Sequence, residues 1–559
     1  MMTVGINRVH NSSVTIIEKG QTLLHLENER LSNIKYDAFP FHVLGELPNY
    51  MQHCNNLAIA GVGPLTAVDS FSNTDTYTSF VKHMNKSFYK NDITTYDYYL
   101  NHHKLHAAQA FYNSGFDSAV CIIKDGMGSE VPLEHPKLIK GTYGREQSSI
   151  FHASYPDNIN LIEQKINVPF DVEIQLTDKL HLTNSPSEAL AFQKTAKFFG
   201  FHELDAGKVM GMSAYGRPDK NIPPIVIDGK INKKLFPFNG DLRKCRLNVE
   251  DFTYLDTEDF HIQANFAYAL QVSCQKNILE EIYRVIDKTK TKNVCLAGGF
   301  FLNCVANYYY RKHLPNDINI YIEPISSDAG TSMGAAQLLY RHLTKDNTKI
   351  PQTSIYLGLT NEISIQKISK YATRSTVTHT NKNHVADLLS EKKLVAIFQG
   401  RSESGPRALG NRSILFDPRC SNAKDLVNKV KQREWFRPFA GSVLQEFCKD
   451  YFEMDNLEQS PFMMYAVPVL PRVQDIIPGI CHIDKTCRIQ TITLEQNKHF
   501  YNLIQAFNKK TGVPILLNTS FNLAGDCIVE TVEQAIQTFE KSYIDYLYFP
   551  ELEILLEHV

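Results

Sequence analysis

Two histidines four residues apart, His102 and His106, are the first pair in this sequence whose spacing can do chemistry. The segment from Lys104 to Tyr112 is predicted to be helical, and residues i and i+4 share a helix face, so both imidazoles can reach one metal ion. His103 then points elsewhere. The spacing alone leaves a metal site and an ordinary buried helix face both open. A second cluster runs from Gln399 to Arg419 and reads Q-G-R-S-E-S-G-P-R-A-L-G-N-R-S-I-L-F-D-P-R, with four arginines and three glycines from Gly400 onward. Glycines let a backbone approach a ligand, and guanidinium forks hold phosphate or carboxylate in bidentate fashion. The stretch follows Leu394 to Phe398, a short apolar run that reads as a buried strand, so an anion pocket at a strand end is one reading. A surface loop with scattered arginines is the other, since no Lys-Ser/Thr ending makes it a P-loop.

The elements that must position these residues belong to a large α/β chain. At 559 residues the sequence exceeds one core, which predicts three or four domain-sized units or two large ones. A net charge of −2 gives no global field toward nucleic acid or membrane, so any such contact must be local. The eleven cysteines are odd in number and none stand in C-x-x-C spacing, which fits reduced thiols in a cytoplasm better than disulfides or structural zinc. The start, Met1-Met2-Thr3-Val4-Gly5-Ile6-Asn7, does not read as a signal peptide, and no run approaches a membrane span.

In chain order, Val14 to Ile17, Glu18-Lys19-Gly20 and Leu23 to Leu26 read as strand, turn and strand. His10 and Lys35 fall in this opening, where a lone His or Lys is ordinarily structural or solvated. Ala119 to Ile123 reads as a strand running into Asp125-Gly126. Ser185-Pro186-Ser187-Glu188 has the form of a capping box with Pro at the first helical position, predicting a helix to about Phe199. Gly207-Lys208-Val209-Met210-Gly211 carries glycines that permit close approach of a ligand. Apolar residues at helical spacing from Ile262 to about Ile286 predict a core helix. Val294 to Ala297 enters Gly298-Gly299, with Asn303 and Asn307 beyond, and a helix there would turn its N-terminal amides toward an anion. Asp328-Ala329-Gly330 repeats the pattern, and Gly334-Ala335-Ala336 lets the next helix pack closely. The polar stretch between His342 and Leu357 is the expected linker. Basic residues from Arg401 to Arg437 are read in part as the solvated face of a helix from about Ala423 to Arg433. Val513 to Leu517 reads as a strand that ends at an Asn518-Thr519-Ser520 turn.

These motifs, in this order, resemble the NodU/CmcH family of O-carbamoyltransferases. The likeness rests on Ser402 to Arg419, His10 to Ser13, Glu29 to Ser32 with Lys35, His102 to Ala108, Asp125-Gly126, Gly207 to Gly211, Gly298-Gly299 with Asn303 and Asn307, Asp328 with Gly330, Arg437 to Ala440 and Leu517 to Asn522. It implies an actin/sugar-kinase-like two-lobed ATPase domain over residues 1–345 and a YrdC-like α/β domain over residues 350–559. It also implies roles. His10 would be the general base toward an acceptor hydroxyl, and Lys35 a point charge near the carbamoyl or phosphate groups. Asp328 would join His102 and His106 as metal ligands, the ion being commonly iron, with manganese, magnesium or zinc also suited. Asp125, Gly126, Lys208, Gly298, Gly299 and Asn303 would lie on the nucleotide side. Arg407, Arg412, Arg437, Arg488, Asn518 and Ser520 would hold carbamoyl phosphate and ATP. The implied reaction makes carbamoyl-adenylate from carbamoyl phosphate and ATP and transfers the carbamoyl group to a hydroxyl. The acceptor is a small molecule, a sugar or a hydroxymethylated pyrimidine, free or in DNA, contacted by an insert within Gly141 to Ile227. Nucleic acid is not indicated by charge, no membrane contact is expected, and a homodimer is left open. A threonylcarbamoyl-adenylate enzyme acting on tRNA and a non-catalytic nucleotide-binding regulator are the other readings. One departure is Asn11, where the family usually has Asp.

Overall fold

The expected opening hairpin forms as Ser13–Glu18 against Gln21–Glu27, and Met2–Asn7 pairs with Ser13–Glu18 on its other side. Alternating Val, Thr and Ile residues favour these strands because branched side chains pack well on a pleated surface. Asn56–Ala60 and Thr94–Asp97 then add in parallel beyond Met2–Asn7. The computed structural model describes residues 1–51, 54, 56–62, 77, 79–81, 94–134, 138, 141–238, 245–248 and 259–559. Among these, the chain divides into two units, Met1–Asn28 with Tyr36–Thr353 and Glu29–Lys35 with Ser354–Val559.

A second sheet completes the first unit. From edge to edge it runs through Glu173–Gln175, Leu180–Thr183, Asn158–Asn167, Tyr143–Ser154, Ser118–Lys124, Asn293–Ala297 and Asn319–Ile322. Two helices separate the sheets. His102–Ser114 packs on the second sheet, Thr331–Thr344 packs on the first, and the helices pack on each other. Their buried faces and the second sheet form one apolar cluster, with Leu105, Phe111, Ala335 and Leu339 from the helices and Ile123 and Cys295 from the strands. Gly334 is what permits the helix contact: a Cβ there would lie 2.0 Å from the Leu105 carbonyl oxygen. The long amphipathic run forms the helix Phe260–Thr289, opened by Asp259 accepting from His261 N and Ile262 N and closed at Lys290 in the left-handed region.

The second unit is built on one mixed sheet. Its central strands are Val395–Phe398, Arg412–Phe416, Ile515–Ser520, Ala440–Leu444 and Thr486–Ile492. The segment Glu29–Lys35 joins it from far away in sequence: Arg30 donates to the Glu403 and Gly405 carbonyls, Gln534 donates to the Arg30 carbonyl, and Cys527 N donates to Asn33. Both units are α/β, as expected.

Two local expectations are corrected. The helix after Ser185 is Glu188–Phe198, and its cap is Ser187, whose Oγ accepts from Leu190 N, so Pro186 precedes the cap instead of following it. Asn518, Thr519 and Ser520 are not a turn after a strand. Pairing with Arg412–Phe416 carries the strand through Ser520.

None of the eleven cysteines is in a disulfide. No helix among the described residues is long and apolar enough to cross a membrane.

Candidate functional site

The helix His102–Ser114 is not capped by its own Asn101. Its first amides are taken from outside the helix: His102 N donates to Ser129 Oγ (3.0 Å) and His103 N to Glu146 Oε2 (3.3 Å). A carboxylate at this end also suits the helix dipole. Ser129 and Glu146 therefore fix where His102 and His106 sit, and nothing in their sequence surroundings announces it. His103 faces away as expected, its Nδ1 2.8 Å from Ser149 Oγ.

Asp328 opens the short turn Asp328–Gly330 that precedes Thr331–Thr344. Its Oδ1 lies 3.5 Å from His102 Nε2 and 3.7 Å from His106 Nε2, and Asp125 Oδ2 lies 3.2 Å from His102 Nε2. One ligand atom from each of His102, His106, Asp125 and Asp328 falls within 4.8 Å of the others. All four side chains are buried. Burial by itself would lower the His102 imidazolium, but Asp328 and Asp125 outweigh it and push its pKa up to about 10. Burial works against Asp328 in turn, and His10 and His102 hold its carboxyl well below the usual range. Among the described residues, neither ring nitrogen of His106 has a hydrogen-bond partner. A buried imidazole left this way is costly, and a bond from Nε2 to a cation would offset part of that cost. Two imidazoles and two carboxylates fit a divalent transition ion by donor chemistry.

His10 joins this group, with Nδ1 3.2 Å from Asp328 Oδ2 and its side chain 43% exposed, so it alone of the five is open to an incoming group. Its neighbour Asn11 has φ 58°, in the left-handed region where Asn is tolerated. Asn7 braces the loop, donating to the Asn11 and Asp328 carbonyls and accepting from Val9 N.

Around the same cluster, Ser187 Oγ donates to the Asp125 and Gly126 carbonyls, and Gly299 N donates to Asp125 Oδ1 (3.2 Å). Gly298 has φ 98°, and a Cβ there would lie 2.4 Å from the Lys124 carbonyl oxygen, so only glycine fits. Asn303 caps the helix Cys304–His313 by accepting from Ala306 N, and its amide donates to Gln271. Lys208 lies on the helix Ala206–Ser213, paired with Asp205 at 2.9 Å.

The second unit gathers the cationic residues. On its sheet Asn518, Ala440 and Arg488 are successive cross-strand partners and point to one face, with the small Ala440 between the amide and the guanidinium. Asn518 Nδ2 donates to the Ala408 carbonyl, tying the Arg407 loop to this row. Lys431, expected on a solvated helix face, is instead 3% exposed. The helix ends at Val430, so Lys431 turns inward and donates to Ser520 and Asn522. Burial, with Arg433, Arg437 and Lys35 nearby, holds its pKa well below the ordinary lysine value. Burial also lowers Arg433, with Arg437 and Arg488 adding to the effect. Lys35 thus belongs to this cationic group. Arg412, expected to face the ligand, does not. It is fully buried, stacked 3.7 Å from the Phe398 ring centre, and donates to the Gln399, Gly400, Asn411 and Glu530 carbonyls. Its planar fork braces the loop from within.

Comparison with known proteins bears on this arrangement. A family model described as carbamoyltransferase N-terminus matches residues 49–337, and one described as carbamoyltransferase C-terminus matches residues 386–555. The chain belongs to the carbamoyltransferase family. This carbamoyltransferase is 27% identical to nodulation protein NolNO of Sinorhizobium fredii over 96% of its own length and 78% of that protein's. It is 29% identical to nodulation protein NolO of Bradyrhizobium diazoefficiens over 80% and 77% of the respective chains. Among solved structures, T. kodakarensis HypF aligns with a TM-score of 0.34 at 12% identity, covering 62% of this chain and 49% of that one. A ROK hexokinase from Thermus thermophilus aligns at 0.30 and 9%, covering 62% of this chain and all of that one.

Proposed function

We propose that this carbamoyltransferase is an ATP-dependent O-carbamoyltransferase working in two half-reactions. The observation that carries the reading is His10, partly exposed and 3.2 Å from Asp328, at the edge of the buried His102, His106, Asp125 and Asp328 group. In the first half-reaction, assigned to the second unit, water cleaves carbamoyl phosphate to carbamate and phosphate, with release of a proton. The carbamate oxygen then attacks the α-phosphate of ATP, forming carbamoyl-adenylate and releasing pyrophosphate. Arg437, Arg488, Arg407, Lys35, Asn518 and Ser520 are the residues proposed to bind these anions, since fixed guanidinium forks stabilise phosphoryl oxygens without reorganising. Lys431 holds Ser520 in place.

In the second half-reaction, assigned to the first unit, an acceptor hydroxyl oxygen attacks the carbamoyl carbon and AMP leaves. His10 Nε2 takes the hydroxyl proton, while Asp328 at Nδ1 orients the ring and stabilises the imidazolium that forms. Asp328 does this from a buried position braced by Asn7. His102, His106, Asp328 and Asp125 are the residues that would hold a divalent ion, iron or manganese suiting the donors best. Such an ion supplies charge stabilisation to phosphate or carbonyl oxygens when bound. Asp125, Gly126, Gly298 and Gly299 form the proposed nucleotide side of the same unit, with Asn303 and Lys208 at its margin.

The test is pyrophosphate release from ATP by the full-length protein, with and without carbamoyl phosphate and before any acceptor is supplied. Release that depends on carbamoyl phosphate supports the activating half-reaction. Release from ATP alone, or none with metal-loaded protein over a panel of hydroxyl acceptors, would sink it.

A further inference from the structure

The face of the helix His102–Ser114 that carries the two histidines continues past them. Gln109 and Asn113 follow at the seventh and eleventh positions from His102, on the same side, and both are buried. Asn113 Nδ2 donates to Glu323 Oε2 (2.9 Å), and its Oδ1 accepts from Gln337 Nε2 (2.8 Å). Glu323 stands just past the strand Asn319–Ile322, and its Oε1 accepts from Ile325 N (3.0 Å). Gln109 Nε2 donates to the Ile325 carbonyl (3.1 Å). Next along, Ser326 Oγ donates to the Gly298 carbonyl (3.0 Å), and Asp328 begins its turn. The peptides on both sides of Ile325 are thus held by side chains, and the chain from there to Asp328 is short.

Glu323 is fully buried and forms no ion pair among the described residues. A buried carboxylate without a cation is unfavourable, and burial pushes the Glu323 pKa up to about 7. If this side chain only filled space, Gln would do so at less cost. It differs in one respect. Its partners, Ile325 N–H, Asn113 Nδ2 and the more distant Tyr321 O–H (3.4 Å), are all donors, and the ionised carboxylate accepts from all of them, whereas an amide turns its own N–H₂ against one side.

We propose that Glu323 is a positioning residue for Asp328, acting through Ile325 and Asn113 to hold the aspartate turn in register with the histidine helix. The proposal rests on the metal reading above, and its signature is metal affinity. Residues that hydrogen-bond a metal ligand typically change affinity by about 10–100-fold when altered, and Glu323, which reaches Asp328 through the Ile325 peptide, is expected at the lower end.

The experiment uses full-length protein stripped with chelator and titrated calorimetrically with Mn²⁺ at about pH 8, above the Glu323 pKa, where the side chain is a carboxylate. Glu323→Gln is expected to bind Mn²⁺ about tenfold more weakly than the parent at unchanged stoichiometry. Adding Asn113→Asp to Glu323→Gln exchanges donor and acceptor. The amide at 323 then accepts from Ile325 N and donates to the carboxylate at 113, which still accepts from Gln337, and affinity is expected to return. Leu339→Ala, a packing change in the apolar cluster around the same helix, lowers the melting temperature without moving Mn²⁺ affinity. An unchanged affinity in Glu323→Gln would reduce Glu323 to a structural residue, and so would a double variant as weak as the single one. A parent protein that binds no Mn²⁺ overturns the metal reading and this proposal together.

Discussion

Asn11 carries a backbone demand as well as a place beside the proposed base. At φ 58° an ordinary L residue is strained, while Asn and Gly are tolerated, so the departure from the family's usual Asp exchanges charge without losing the conformation. Asn11→Gly is expected to keep stability within a few tenths of a kcal/mol, and Asn11→Val to lose about 1–2 kcal/mol in urea unfolding. Equal stability of the two variants would show that the loop does not need the left-handed residue. Lys431 gives a second case. Lys431→Ala removes the amino group that donates to Ser520 Oγ and to the Ser520 carbonyl, while Asn522 Oδ1 keeps Ser520 Oγ as its donor. A loss of about 1–3 kcal/mol is expected, together with weaker carbamoyl-phosphate-dependent pyrophosphate release. Glu323 gives a pH dependence whose sign is fixed. Its folded pKa, about 7, lies above its unfolded value of about 4.3, so its contribution is fully present below the lower value and lost as pH rises through the upper one. The melting temperature of the parent minus that of Glu323→Gln should fall across this window and flatten above it. A difference that stays constant with pH would remove Glu323 from the titration.

At the scale of elements, the histidine helix is placed by its neighbours more than by its own ends. Gly334 sets how near the companion helix comes, since even one methyl group would meet the Leu105 carbonyl. Gly334→Ala should cost about 1–3 kcal/mol by overpacking and also weaken metal binding, because His106 rides on the displaced helix. Lost stability with unaltered metal affinity would separate helix spacing from ligand geometry. This level was largely legible in the sequence. The i, i+4 histidines, the long apolar periodicity of Phe260–Thr289 and the Gly334-Ala335-Ala336 run all express local periods that a helix must satisfy. What stayed hidden was non-local. Ser129 and Glu146 cap the helix from a separate loop and strand, and Lys431 is buried because its helix stops one residue earlier. Arg412 looks like its neighbouring arginines until the carbonyls around it are known. The expected cap stands two residues too early: Ser187, directly before Glu188, supplies the hydroxyl that Leu190 N meets.

For the whole molecule, the division into units does not follow chain order. Among the described residues the units change at Thr353 and Ser354, and Glu29–Lys35 belongs to the second unit. No local property of E-R-L-S-N-I-K signals this. The reason is long-range hydrogen bonding: Arg30 is 4% exposed and its guanidinium meets carbonyls of the Glu403 loop, which itself wraps on Glu403 through Leu409 N and Asn411 N. A fragment of residues 354–559 would therefore lack the donor that this loop uses, leaving buried carbonyls unsatisfied. Such a fragment should be less stable than the second unit within the full chain, and a synthetic peptide of residues 27–37 should raise its melting temperature in a concentration-dependent way, as any ligand of the folded state does. The same peptide with Arg30→Ala should stabilise it much less. If the fragment melts at one temperature with either peptide or none, the Glu29–Lys35 contacts contribute nothing to the second unit, and the arginine loop holds its shape through Glu403 alone.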